Sequence, residues 1–253
     1  MRVLVAIDGS ECAGVAVDLV AGLPWPTGTK IQVAEVVPSG AAVFGGPWPP
    51  VAPVDTAAID RSIREQATRD LQAAAQALTG PGREIDTIAV AGRAGDTITS
   101  LAQQSDADLI VIGSRGHGAL ETMLLGSVSS EVIDHAHVPV LVARGRTIER
   151  IAFAWDGSDR AEAAVGPLTV WGLFGDAHVD VLSVADAEPP WWVRAGMVSE
   201  EAAAEAYHEA AAPSRQQHED MAEQMAEWLR TAGLNAVPLS REGDPAETIV
   251  AFA

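Results

Sequence analysis

Residues 108–130, DLIVIGSRGHGALETMLLGSVSS, decide how this chain folds. Leu109-Ile110-Val111-Ile112 is a short apolar run between polar residues, the pattern of a strand buried on both faces. Gly113, Gly116 and Gly118 follow at once, and glycine lets main chain turn tightly and lie bare against a ligand. Gly126-Ser127 comes later, and Val128, Val132 and Ile133 then recur at helical spacing. A strand, a glycine loop and a serine-rich helix start favour negative charge, because free amides and the helix dipole act at one place. The stretch reads as a phosphate-binding loop.

It is neither of the two commonest glycine fingerprints. A P-loop needs Lys and Ser/Thr where Ala119 and Leu120 stand, and Gly113 to Gly118 has the wrong spacing for a dinucleotide fingerprint. The spacing is Gly-x2-Gly-x9-Gly-Ser, through Gly113, Gly116, Gly126 and Ser127. With a strand before and a helix after, it resembles the ATP-binding motif of the universal stress protein family. The resemblance implies ATP as ligand, with Mg as an optional companion, and makes those four residues its contacts. Val128 and Ser129 fall where the family continues its phosphate contacts. Asp8 matches the family's acidic residue after the first strand; a carboxylate beside a triphosphate would be repelled, so a ribose or base contact suits it. Its structural alternative is a helix N-cap, a role Ser10 can fill instead. Val36 is placed on the adenine side, and Arg115 and His117 sit in the loop where they can meet phosphate. A side chain at position 113 or 126 is expected to occupy ligand space or deny the backbone its conformation, abolishing binding without unfolding.

The whole chain narrows the classes. With 16 basic and 35 acidic residues among 253, the net charge of −19 argues against sequence-independent binding to nucleic acid or anionic lipid. The charge is uneven, net −6 over residues 1–146 and net −13 over residues 147–253. The one cysteine, Cys12, allows no intrachain disulfide and is expected as a small core residue. Met1-Arg2 runs straight into a strand pattern with no apolar leader, which with the cysteine usage points to the cytoplasm and no membrane partner.

Taken in order, Val3–Ile7 reads as a strand ended by Asp8-Gly9-Ser10, and Val15, Ala16, Leu19 and Val20 as a helix stopped at Gly22-Leu23-Pro24. Ile31–Val37 is a second strand, and the prolines from Pro38 to Pro53 make a loop. Asp55 or Thr56 caps a long helix with the stripe Ile59, Ile63, Ala67, Leu71, Ala74 and Leu78. Ile85–Val90 is a third strand, a short helix starts at Asp96, and Val138–Ala143 is the last strand. Alternation of this kind predicts an α/β fold with an open, doubly wound parallel sheet, whose ligands sit beyond strand carboxyl ends. The resemblance supplies the five-stranded order 3-2-1-4-5.

Residues 150–158, RIAFAWDGS, copy residues 2–10, RVLVAIDGS, at an offset of 148, and Gly243-Asp244 copies Gly95-Asp96. Two modules are therefore expected, 1–146 and 147–253, the second a partial copy without a counterpart of the glycine loop; a truncation at Ala253 suits that. Pro213 is expected to interrupt the helical region of the second, with Ser214 and Gln217 opening a new helix. The sequence assigns no catalytic triad or carboxylate pair, and His135 and His137 lack a third metal ligand nearby. Trp48, Trp191 and Trp192 stand in loop segments. The leading expectation is an ATP-binding stress-response module that signals through partners. Rival readings are a slow ATPase or adenylating enzyme, and a dimerisation module that binds no nucleotide. A homodimer is expected through the open edge of Val138–Ala143.

Overall fold

The computed structural model describes residues 1–38, 56–115, 125–186, 193, 195, 197 and 199–253. Two compact units divide the chain, Met1–Thr147 and Ile148–Ala253.

The first unit runs β1 (Arg2–Ile7), α1 (Glu11–Gly22), β2 (Thr29–Val37), α2 (Thr56–Leu78), β3 (Arg83–Ala91), α3 (Ala94–Gln104), β4 (Leu109–Gly113), α4 (Ser127–His135) and β5 (Val140–Ala143). Its five strands are parallel in the order β3-β2-β1-β4-β5. Every residue of β4 is buried, as its unbroken apolar run requires. On one face, α3 and α4 cover Leu4, Ala6, Ile110 and Ile112 through Ile98, Leu101 and Val132. On the other lies the stripe of α2, in which Ala67, Leu71, Ala74 and Leu78 are buried while Ile59 and Ile63 are half-buried. Burial of a side chain such as Leu78 contributes about 1.5–3 kcal/mol. Helix α1 starts at Ser10, whose Oγ accepts from the Ala13 amide at 3.2 Å, so Ser10 rather than Asp8 is the N-cap.

The second unit runs β6 (Arg150–Ala154), α5 (Asp159–Val170), β7 (His178–Ala185), α6 (Glu200–Thr231), β8 (Asn235–Glu242) and α7 (Pro245–Phe252). Its three strands are parallel, ordered β6-β7-β8. Its opening turn reproduces the first: the Ser158 amide donates to Asp156 at 2.9 Å, Ser158 caps α5, and Gly157 has φ +74° against +73° at Gly9. One expectation fails here. Pro213 lies inside α6, one 32-residue helix, and Ser214 opens nothing. Beyond the proline, Ala222, Ala226 and Leu229 pack the helix against β7 and β8.

No helix among the described residues is long and apolar enough to cross a membrane. The proline segment 39–55, with Trp48, and the residues Trp191 and Trp192 lie outside the described residues.

Candidate functional site

Strand order reverses between β1 and β4, since β1 leads through α1 to β2 on one side and β4 leads through α4 to β5 on the other. A crevice opens there at the carboxyl ends of the strands, as expected for doubly wound sheets. Ala6, Ile7 and Asp8 line it from β1 and its end, Ala13 from α1, Val36 from β2, and Ala94 and Ile98 from α3. Ile112 and Gly113 of β4, Arg115, and Val128 and Ser129 of α4 complete the lining. Six residues singled out in the sequence, Asp8, Val36, Gly113, Arg115, Val128 and Ser129, thus meet in one place. Gly126 and Ser127 form the start of α4 without lining the crevice themselves. Gly116, His117 and Gly118 lie outside the described residues.

Gly113 and Gly126, the described glycines of the motif, lack the positive φ expected of them. Gly113 does not have a positive φ; instead its Cα faces the first turn of α1. A Cβ there would lie 2.7 Å from both the carbonyl carbon and oxygen of Cys12 and 3.0 Å from the Ala13 nitrogen. Main chain cannot yield as a flexible side chain would, so Gly113 sets how closely α1 approaches β4. Nor does Gly126 need a left-handed conformation, with φ −76° and ψ 159°. It is the N-cap of α4 and brings no side-chain oxygen, so the first-turn amides of Ser127, Val128 and Ser129 are left without the usual cap. That favours an anion in front of the helix.

Ser129, at the crevice, is held by a bond within the protein. Its buried hydroxyl donates to the Gly113 carbonyl at 2.8 Å, and the Gly126 amide donates to the Ser114 carbonyl at 2.8 Å. Both bonds pin the start of α4 to the end of β4, so the Ser129 side chain shapes the crevice wall. Asp8 accepts the Ser10 amide through Oδ1 at 3.0 Å, which fixes the carboxylate at the crevice wall. Cys12 is half-buried rather than a core residue.

Ala94 and Ile98 were not singled out in the sequence. Ile98 was legible as the apolar face of a short helix, but only β2–β3 pairing brings that helix to the crevice. With Ala6, Val36, Ile112 and Val128 they make an apolar slot of small and aliphatic side chains beside a polar end. Among the described residues no group of three or more His, Cys, Asp or Glu side chains is gathered as a metal site would need. The His135 Nδ1 lies 2.8 Å from the carbonyl of Glu131 in its own helix.

The fold and crevice together define a doubly wound α/β protein with an open crevice at the switch point of its first sheet. The model of the universal stress protein family matches residues 1–144, and the chain belongs to that family. It is 33% identical over 144 residues to a universal stress protein of Thermus aquaticus, covering 56% of this chain and 97% of that one. A universal stress protein from Archaeoglobus fulgidus DSM 4304 shares the fold over 99% of this chain and 82% of its own, with TM-score 0.63 and 18% identity. Another from Archaeoglobus fulgidus, solved in complex with dAMP, covers 57% of this chain and 98% of its own, with 21% identity and TM-score 0.40.

Proposed function

We propose that the first unit binds ATP in this crevice and that the protein acts in a stress response through nucleotide-dependent contacts with partners. The observation that carries the reading is an apolar slot joined, through Gly113, to the uncapped start of α4. The slot suits a purine ring, which gains by leaving water. The helix start suits phosphate, and the guanidinium of Arg115 at the same wall matches phosphate geometry. Asp8, on the β1 side, suits a ribose hydroxyl, for which a fixed carboxylate is an acceptor. These residues fit the nucleotide without a protein-held metal; Mg would travel with the triphosphate. Titration calorimetry with ATP, followed by analysis of products, tests the reading. Saturable binding without turnover supports it, multiple-turnover release of phosphate or pyrophosphate replaces it with an enzyme, and no binding at millimolar ATP defeats it.

The same reading includes a homodimer through β5. This strand is at the sheet edge, pairs with β4, and leaves Val140, Leu141 and Val142 half-buried. Unpaired edge groups are a template for another strand. Val142→Pro removes one backbone donor from the open edge, since the Leu141 and Ala143 amides face β4, and sedimentation velocity should show it monomeric where wild type is dimeric. A monomeric wild type at micromolar concentration removes the proposal.

A further inference from the structure

We infer that Arg93 and Glu131 are positioning residues for the crevice, their ion pair tying the start of α3 to α4 and fixing the gap that a ligand enters. The inference rests on the nucleotide reading above. Arg93 Nη2 lies 3.0 Å from Glu131 Oε1, and its Nε lies 3.9 Å from Asp96 Oδ2. Ala94, the residue after Arg93, lines the crevice from α3, while Val128 and Ser129, in the turn before Glu131, line it from α4. The pair therefore joins the two elements beside the site itself.

An exposed ion pair ordinarily contributes little. This one is built into the backbone. The Glu131 side chain is only 23% exposed, although Arg93 is 76% exposed. It lies against Gly95, where a Cβ would be 2.4 Å from both the carboxyl carbon and Oε2 of Glu131. Gly95 has no positive φ to explain it, so its role is a notch that admits the carboxylate. The corresponding Gly243 is different: its φ is +134°, and a Cβ there would meet only the Thr248 hydroxyl at 3.1 Å. The notch belongs to the unit that has the crevice. Apolar contacts of Ile98, Leu101 and Ala102 with Val132 hold α3 and α4 together farther along, but such contacts are non-directional. The ion pair supplies the directional tie at the ligand end.

The tie acts on α4, whose first-turn amides face the phosphate side, so its loss should be felt by ATP more than by adenosine. The test compares wild type, Arg93→Gln, Glu131→Gln and the double variant, each titrated with ATP and with adenosine. Each single change should weaken ATP about three- to fivefold, and adenosine less, with thermal melting unchanged. The double variant should be no weaker than either single one, since both remove one interaction. Gly95→Ala, which leaves both charges but crowds the carboxylate out of its notch, should weaken ATP similarly. Single variants that bind ATP as wild type does, or losses that simply add in the double, overturn the inference and leave the nucleotide reading standing. A wild type that binds no nucleotide overturns both.

Discussion

Replacing Gly113 by alanine tests the core of the site most directly. The added Cβ would stand 2.7 Å from the Cys12 carbonyl carbon and oxygen, and 3.0 Å from the Ala13 nitrogen. Ordinary carbon contacts are about 3.5–4.0 Å, so something must move by roughly 1 Å. β4 is fully buried between β1 and β5, hence α1 is the element that gives. Overpacking of this kind costs about 1–3 kcal/mol. For a unit of this size that is a fall in melting temperature of about 3–10 °C. Valine adds two more methyl groups and should cost more, so Gly113→Val is expected to destabilise the unit rather than to block ligand in an intact fold. Because Ala13 and Gly113 both line the crevice, ATP affinity should fall along with stability. Urea denaturation and calorimetry on Gly113→Ala measure the two losses. A variant that melts within about 1 °C of wild type refutes the close-approach argument, since even 1 kcal/mol moves the midpoint further than that.

Ser129→Ala removes the bond to the Gly113 carbonyl and should cost about 1 kcal/mol in denaturation, with ATP affinity falling as the start of α4 loosens. Pro213→Ala should raise the midpoint of the second unit, restoring an amide to a helix interior, by about 1–3 kcal/mol in urea titration; a lower midpoint would count against it. The Ser158 hydroxyl and amide hold the Asp156 carboxyl below its ordinary value. A depressed folded pKa means its contribution is present above the unfolded value, about 3.9, and is lost as pH falls through the folded one. Asp156→Ala should therefore be less stable than wild type at pH 7, and thermal melts should converge in acid below about pH 4.

Sequence and structure part company where distance along the chain hides a neighbour. β4 was legible because all-apolar runs mean burial on both faces, and the Asp8 and Asp156 turns because they repeat letter for letter. Strand order was not legible from periodicity, which is the same whichever strands are neighbours; the family resemblance carried it. Ala94, Ile98 and the Gly95 notch come from tertiary approach between helices, to which local pattern is blind. Pro213 stands exposed inside a helix whose described packing, through Ala222, Ala226 and Leu229, lies farther along, so the break that its residue type predicts is absent. Of the glycine motif, Gly113 reaches the crevice without the positive φ expected of it, since spacing tells that bare backbone is needed but not which atoms press on it.

The two units finally bear on how many nucleotides the chain holds. Both present Asp-Gly-Ser after a strand, with the same capping bonds, so that turn alone does not make the site. What β1 has is β4 beside it, delivering Gly113 and the start of α4 to the same crevice. β6 pairs with β7, and among the described residues nothing equivalent stands on its other side. Its burial shows the consequence: five of six residues of β1 are buried, but of β6 only Phe153 is. The second stretch, residues 147–253, also carries net −13, whose field opposes a polyanion. Binding of a triphosphate should depend on the helix start more than on the aspartate, because the helix start is what compensates the charge. Calorimetry on this chain should give a stoichiometry of one ATP, removed by changes at the start of α4 and merely weakened by Asp8→Ala. Two equivalent sites, or a site that survives disruption of α4 but not Asp156→Ala, would show that the turn is the determinant and the argument from β4 is wrong.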